Sequence, residues 1–170
     1  MASRTIQTPA GPFTFVAHGR TVLASGFTDD VAGLVNLVHP SLRDLATEDT
    51  SSADLDAIET ATQAYFAGDI AAIDTIDVQQ RSGEFIDVAW KTLRQVPGGG
   101  PVTYTQLASD AGRPAAVRAA AQACARNAAA LFVPCHRVVR NDGTLGGYRW
   151  GLDVKRWLIA HEAPKETVSA

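Results

Sequence analysis

Cysteine is scarce: only Cys124 and Cys135 occur in 170 residues, with ten residues between them. That spacing is neither a CxxC redox or metal pair nor a disulfide framework. The four histidines (His18, His39, His136, His161) form no tight pair at ligand spacing. A structural zinc needs four N, S or O donors, so neither a metal nor a cofactor is expected. No run of about 18 apolar residues is present, so no membrane span or membrane partner is expected. Residues 1–7 lack the apolar core of a signal peptide, which makes the cytoplasm the expected location. There is no internal repeat, and no low-complexity tract beyond the alanines at 128–130. With 46% hydrophobic and 19% charged residues, what remains is a globular chain of one mid-sized or two small domains.

The net charge of −3 is small, but its distribution is uneven. Residues 1–85 hold four arginines against twelve acids, a net −8; residues 86–162 hold ten Lys/Arg against five acids, a net +5. Such asymmetry points either to a polyanion-binding second half or to two halves that attract each other.

Residues 5–27 mix apolar and polar positions around Gly11-Pro12 and His18-Gly19-Arg20, as a hairpin or meander does. Residues 31–38 form a short helix candidate that must end at His39, because a residue before proline avoids the helical region. Ser52 or Asp54 can cap a helix to about Gly68 with Leu55, Ile58, Ala61 and Tyr65 on one face. Residues 70–78 read as a strand or extended connection. A helix opens near 83–85 with Phe85, Val88, Ala89, Leu93 and Val96 at helical spacing, and Pro97-Gly98-Gly99-Gly100-Pro101 stops it. Thr103 or Thr105 caps a short helix ending near Ala111. Gly112-Arg113-Pro114 turns the chain, and 115–126 is an alanine-rich second helix, the outline of a helix-turn-helix. Gly143, Gly146, Gly147 and Gly151 mark a loop or wing before a last helix capped by Asp153. The expected fold is α/β: an N-terminal α/β unit (1–78), a mainly helical second domain (79–165) and a tail (166–170).

Pro134-Cys135-His136-Arg137-Val138 sets a thiol beside an imidazole. Proline is tolerated where helices begin, so Cys135 is expected at a helix N-terminus, where the dipole favours the thiolate. His136 and Arg137 add cationic surroundings. A small buried hydrophobe is the alternative reading of Cys135.

These residues resemble the O6-alkylguanine-DNA alkyltransferase family. The resemblance also rests on Arg126-Asn127, Gly147-Tyr148-Arg149-Trp150-Gly151, Val154-Lys155-Arg156-Trp157-Leu158 and His161-Glu162. It runs from about Thr5 to Glu162, and its Tyr-Arg-Trp stretch is most similar to the bacterial adaptive-response catalytic domain. The resemblance implies a ribonuclease-H-like N-terminal unit and a winged helix-turn-helix. It implies direct-reversal repair, with the alkyl group of O6-alkylguanine passing irreversibly to Cys135, once per molecule.

By the same resemblance His136 activates the thiol through a water and Glu162 orients the imidazole. Tyr104 donates near the base and crowds the lesion phosphate, and Asn127 is a hinge to the active-site loop. Arg118 fills the gap left by a flipped base, while Ala119, Ala120, Ala123 and Arg126 approach the DNA. Tyr148, Trp150, Val138 and Arg149 line the base pocket, and Trp150 narrows it in favour of methyl over benzyl. The implied partner is double-stranded DNA, entered by the minor groove without sequence preference. The chain is expected to be a monomer when free; cooperativity on DNA and action on O4-alkylthymine stay open.

Two departures stand out. The hinge reads Asn127-Ala128 where the family often has proline nearby, which implies a looser loop; and the 97–101 turn is unusually glycine-rich. Neither the zinc ligands nor the regulatory domain of some relatives occurs here, so zinc and transcriptional control are not expected. Two rival functions remain: a non-catalytic lesion sensor, which would lack the acceptor cysteine, and a Cys-His hydrolase, which would turn over.

Overall fold

The computed structural model describes residues 2–164; Lys165 and the 166–170 tail lie outside the described residues. Strands β1 (Ser3–Thr8), β2 (Gly11–His18) and β3 (Thr21–Gly26) form the expected antiparallel meander. Gly19, at φ +59°, makes the second reversal. Alternation along β2 sends Phe13 and Phe15 to the main core and Val16 to a smaller one on the opposite face.

Helices α1 (Val31–Leu37) and α2 (Arg43–Thr47), with the short connection between them, cover the smaller core through Leu34, Val38 and Leu42. Asp30 caps α1 by accepting from the Gly33 N–H at 3.0 Å, and the helix stops before His39-Pro40 as expected. α2 was not legible in the sequence. α3 (Ser52–Phe66) packs Leu55, Ile58 and Tyr65 into the main core; its cap is Ser51 rather than Ser52 or Asp54.

The 70–78 segment is mostly not a strand. It forms a 3-10 turn (Ile70–Thr75) and a two-residue β4 (Asp77–Val78) parallel to β3. The Arg94 guanidinium gathers the carbonyls of Ile73 and Ile76 at 3.3 and 2.6 Å, which favours a turn over a ladder.

α4 (Glu84–Leu93) buries Ile86, Ala89, Trp90 and Leu93, whereas Val88, expected on the core face, is 41% exposed. Phe85, half-buried, packs against the same core as expected, and Ile86, which was not expected there, joins it. Thr103 caps α5 (Tyr104–Asp110), accepting from the Gln106 N–H at 3.1 Å. Residues 111–116 turn the chain into α6 (Val117–Arg126). β5 (Val102–Thr103) pairs in parallel with β6 (Val138–Val139). α7 (Leu152–Glu162) follows Gly151, φ +101°, at its N-cap position; Asp153 does not cap it but pairs with Arg156 at 3.1 Å.

The main core runs through both halves, joining Phe13, Phe15, Ile58 and Tyr65 to Leu93, Leu107, Phe132 and Leu158. Each such side chain contributes about 1.5–3 kcal/mol by burial. Into this core runs residues 127–138, a mostly irregular segment buried at every position. Loops normally stay at the surface because their backbone needs partners. Here Ser25 supplies them: its N–H donates to the Ala128 carbonyl (2.8 Å), its hydroxyl to the Ala130 carbonyl (2.7 Å), and its carbonyl accepts from the Ala130 N–H (3.2 Å). Leu131 then takes φ +77°, a strained conformation for a branched residue that the surrounding packing holds.

Candidate active site

Cys135 opens a single 3-10 turn, Cys135–Arg137, rather than an α-helix. One turn has no macrodipole, so the expected thiolate-stabilising helix end is absent. Burial pushes the Cys135 thiol pKa up, against the opposing pull of a hydrogen bond from Asn127, the charge of Lys155, its own backbone N–H and the charge of Arg149. The nearby cations are therefore Lys155 and Arg149; Arg137, expected beside the thiol, turns away to Glu162. The resting state is a buried thiol.

Behind it lies a buried polar cluster. Arg137 Nε donates to Glu162 Oε1 at 2.8 Å and Nη2 to Oε2 at 3.0 Å, while Nη1 donates to the Val96 carbonyl at 2.7 Å. The Tyr65 hydroxyl, from α3, donates to Oε2 at 2.7 Å. His136 Nε2 lies 2.7 Å from the same oxygen. Burial opposes the Glu162 charge, but the hydrogen bonds from His136 and Arg137 and the Arg137 charge together hold its pKa at about 2. A carboxylate can only accept, so His136 Nε2 carries the proton. Burial lowers the His136 pKa despite Glu162, so the ring is neutral and Nδ1 bears the free lone pair. That Nδ1 is buried and has no hydrogen-bond partner among the described residues.

In front of the thiol is a cavity of about 470 Å³, lined by Tyr104, Ala121, Cys124, Ala125, Asn127, Ala130, Cys135, Gly147, Tyr148, Arg149 and Trp150. Tyr104 lies against Gly146, where a Cβ would sit 2.8 Å from the phenol oxygen. Burial raises its pKa to about 12, with Cys124 and Cys135 adding to the shift. The Tyr148 hydroxyl is buried and has no hydrogen-bond partner among the described residues. The Trp150 indole is seated on Gly26 of β3, where a Cβ would come within 2.1 Å of the ring.

A family model described as 6-O-methylguanine DNA methyltransferase, DNA binding domain, matches residues 84–164. The methylated-DNA–protein-cysteine methyltransferase of Salmonella typhimurium is 35% identical over 161 residues, covering 92% of each chain. The chain belongs to the 6-O-methylguanine DNA methyltransferase family. The bifunctional transcriptional activator/DNA repair enzyme Ada of Escherichia coli is 50% identical over 92 residues, 54% of this chain but only 26% of Ada. Mycobacterium tuberculosis OGT in complex with DNA superposes with a TM-score of 0.75 at 30% identity, over 94% of this chain and 92% of that one.

Within this methyltransferase-family chain, three residues expected at the site are placed elsewhere. Ala120 and Ala123 are fully buried against the core and cannot meet DNA; the Trp90 indole N–H donates to the Ala123 carbonyl at 2.8 Å. Val138 is also fully buried and does not line the cavity. The outward face of α6 carries Arg118, Ala121 and Ala125, spaced i, i+3, i+7, the last two lining the cavity. Ala119 is half-buried and Arg126 exposed, both outside the lining.

Sequence reasoning missed Tyr65, the Arg137–Glu162 pairing, Cys124 as a lining residue, and Lys155. The Lys155 ammonium, wholly buried, donates to the carbonyls of Val138, Leu145 and Gly147 (3.2 Å to the last), tying the 138–147 segment to α7. Burial lowers its pKa, with Cys135 and Cys124 opposing. Helical spacing alone would have found it, since Lys155, Leu158 and Glu162 share one face of α7. The hinge expectation is corrected as well. Without proline, Ala128 keeps an N–H, and Gln80 Oε1 accepts it at 2.9 Å, so the loop is pinned rather than loose.

Proposed function

We propose that the chain repairs O6-alkylguanine in DNA by direct reversal, transferring the alkyl group to its own Cys135. The observation that carries the reading is the constellation itself: a buried thiol facing a base-sized cavity, backed by a neutral imidazole whose protonated Nε2 is held by a paired carboxylate. The thiol proton leaves to His136 Nδ1 through a bridging water. Sulfur attacks the alkyl carbon, the S–C bond forms as the O6–C bond breaks, and guanine leaves as an anion that takes up one proton. The thioether has no route back to thiol, so each molecule reacts once.

Tyr104 supplies a hydroxyl to protonate the departing base, and the Tyr148 ring lines the cavity that receives it. Asn127 donates toward Cys135. Arg118, exposed on the cavity side of α6, fills the stack after the base is extruded, and Ala119 and Arg126 flank it on the DNA. The DNA is entered through the minor groove without sequence preference, and the free protein is a monomer. Trp150 and Arg149 close the outer wall. We read residues 1–78 as a ribonuclease-H-like scaffold and 79–165 as the DNA-binding and active-site domain, with α5 and α6 as the helix-turn-helix and the glycine-punctuated 140–151 segment as its wing.

Incubation with duplex DNA carrying radiolabelled O6-methylguanine tests this. Label is expected to plateau at about one per molecule and to be absent in Cys135→Ala. Tight lesion binding without transfer would favour the sensor; repeated turnover would favour a hydrolase.

A further inference from the structure

Gln80 lies in the segment joining the two halves, where neither composition nor motif marks it. Its side chain sits between two successive residues of the active-site loop. Gln80 Oε1 accepts the Ala128 N–H at 2.9 Å, and Gln80 Nε2 donates to Asn127 Oδ1 at 2.9 Å. Asn127 Oδ1 also accepts the Ala129 N–H at 3.0 Å, and Asn127 Nδ2 donates to the Val133 carbonyl at 2.8 Å. A second Asn127 N–H remains for Cys135 Sγ.

An asparagine amide can turn over, exchanging a donor edge for an acceptor edge with little change in shape. Backbone N–H groups cannot. The Ala128 N–H therefore sets which end of Gln80 is oxygen. Gln80 then presents its NH₂ to Asn127 and, with the Ala129 N–H, commits the Asn127 oxygen away from the thiol. The relay starts from an N–H that a proline at 128 would lack.

We propose that Gln80 is a positioning residue for the transfer reaction: it fixes the amide of Asn127 so that an N–H, not the carbonyl, faces Cys135 Sγ. The inference rests on Cys135 being the alkyl acceptor. An N–H toward sulfur stabilises the thiolate as it forms; a carbonyl oxygen there would repel it. The other titratable or charged groups around Sγ are His136 beside it, Lys155 from α7, Arg149 and Tyr148 from the 140–151 segment, Tyr104 from α5 and Cys124 from α6. The variants below leave all of them in place.

The test is the rate of Cys135 alkylation by iodoacetamide against pH, in the full chain, for wild type, Gln80→Glu and Gln80→Met. This probe needs neither DNA nor an alkylated base, so its outcome is separable from the repair reading. Trypsin separates Cys124 (peptide 119–126) from Cys135 (peptide 127–137), so each is followed alone. Gln80→Glu keeps an acceptor for Ala128 but turns an oxygen toward Asn127 Oδ1, favouring the flipped amide. Its rate–pH curve is expected to move up by roughly one pH unit, so that at neutral pH the reaction slows about tenfold. Gln80→Met, which loses both bonds without reversing polarity, is expected to move it about half as far. A folded Gln80→Glu protein with the wild-type curve would overturn the proposal, as would equal displacement by both variants, which would mean general loosening. If Gln80→Glu does not fold, Gln80→Met decides: a displaced curve supports the role and an unmoved one overturns it.

Discussion

Residues 1–85 carry a net −8 and residues 86–162 a net +5; among the described residues, the cavity lining comes from the second half and none of it from the first. By inventory the first half is inert. By geometry it is not. Tyr65 reaches the carboxylate that orients His136, Ser25 supplies the backbone partners of the active-site loop, Gly26 seats Trp150, and Gln80 grips Asn127. The difference shows how a reactive centre divides: reacting groups lie on the helical half, and the constraints on their geometry come in good part from the acidic, sheet-based half.

Substitutions on either side of this division should sharpen it. The largest effect is expected from Glu162→Ala, which leaves Arg137 buried without its anion. A loss of roughly 3–5 kcal/mol in denaturant unfolding is expected, together with loss of transfer; a loss under about 1 kcal/mol would contradict the pairing. Arg118→Ala, on the surface of the helical half, should leave stability unchanged. It should slow transfer from duplex DNA by about 10–100-fold, since stabilising an extruded base is a matter of a few kcal/mol. Transfer from free O6-alkylguanine base should be unaffected, and equal slowing of both would remove Arg118 from base extrusion.

Acid should act through both His136 and Glu162. Burial lowers the folded His136 pKa, so below its unfolded pKa of about 6.5 the unfolded state binds more protons and stability falls as pH drops. Glu162, held at about 2 against an ordinary 4.5, contributes stability that is fully present above pH 4.5 and lost as pH falls toward 2. The expected loss over that window is on the order of 3 kcal/mol. Urea midpoints across pH 7 to 3 check the sign, and His136→Gln should flatten the upper limb alone. The smallest effect on transfer is expected from Tyr65→Phe, which removes one hydrogen bond to a charged acceptor from the scaffold side. A cost of about 1.5–3 kcal/mol in stability is expected, with transfer slowed but not abolished. An unchanged transfer rate would return the first half to a passive role.

Much of this was legible in the sequence, for physical reasons that differ by element. The meander, the stop at His39-Pro40 and the Thr103 cap follow from local chemistry and appear as expected. The 70–78 segment did not follow, because a distant guanidinium collects its carbonyls. The face of α6 was misjudged because alanine fits both a core and a DNA-facing surface; only burial against the core separates Ala120 and Ala123 from Ala121 and Ala125. Cys135, His136 and Glu162 were visible as motif residues. Tyr65 and Gln80 were not, since each acts across more than forty positions through one or two hydrogen bonds.

Both cysteines line the cavity, and the account assigns the reaction to only one. The most direct test is to react the protein with duplex DNA containing O6-methylguanine, digest it with trypsin and locate the added methyl. The expected result is a methyl on the 127–137 peptide, at Cys135, matched mole for mole by restored guanine. A methyl on Cys124 in the 119–126 peptide, or restored guanine with both peptides unmodified, would contradict the account.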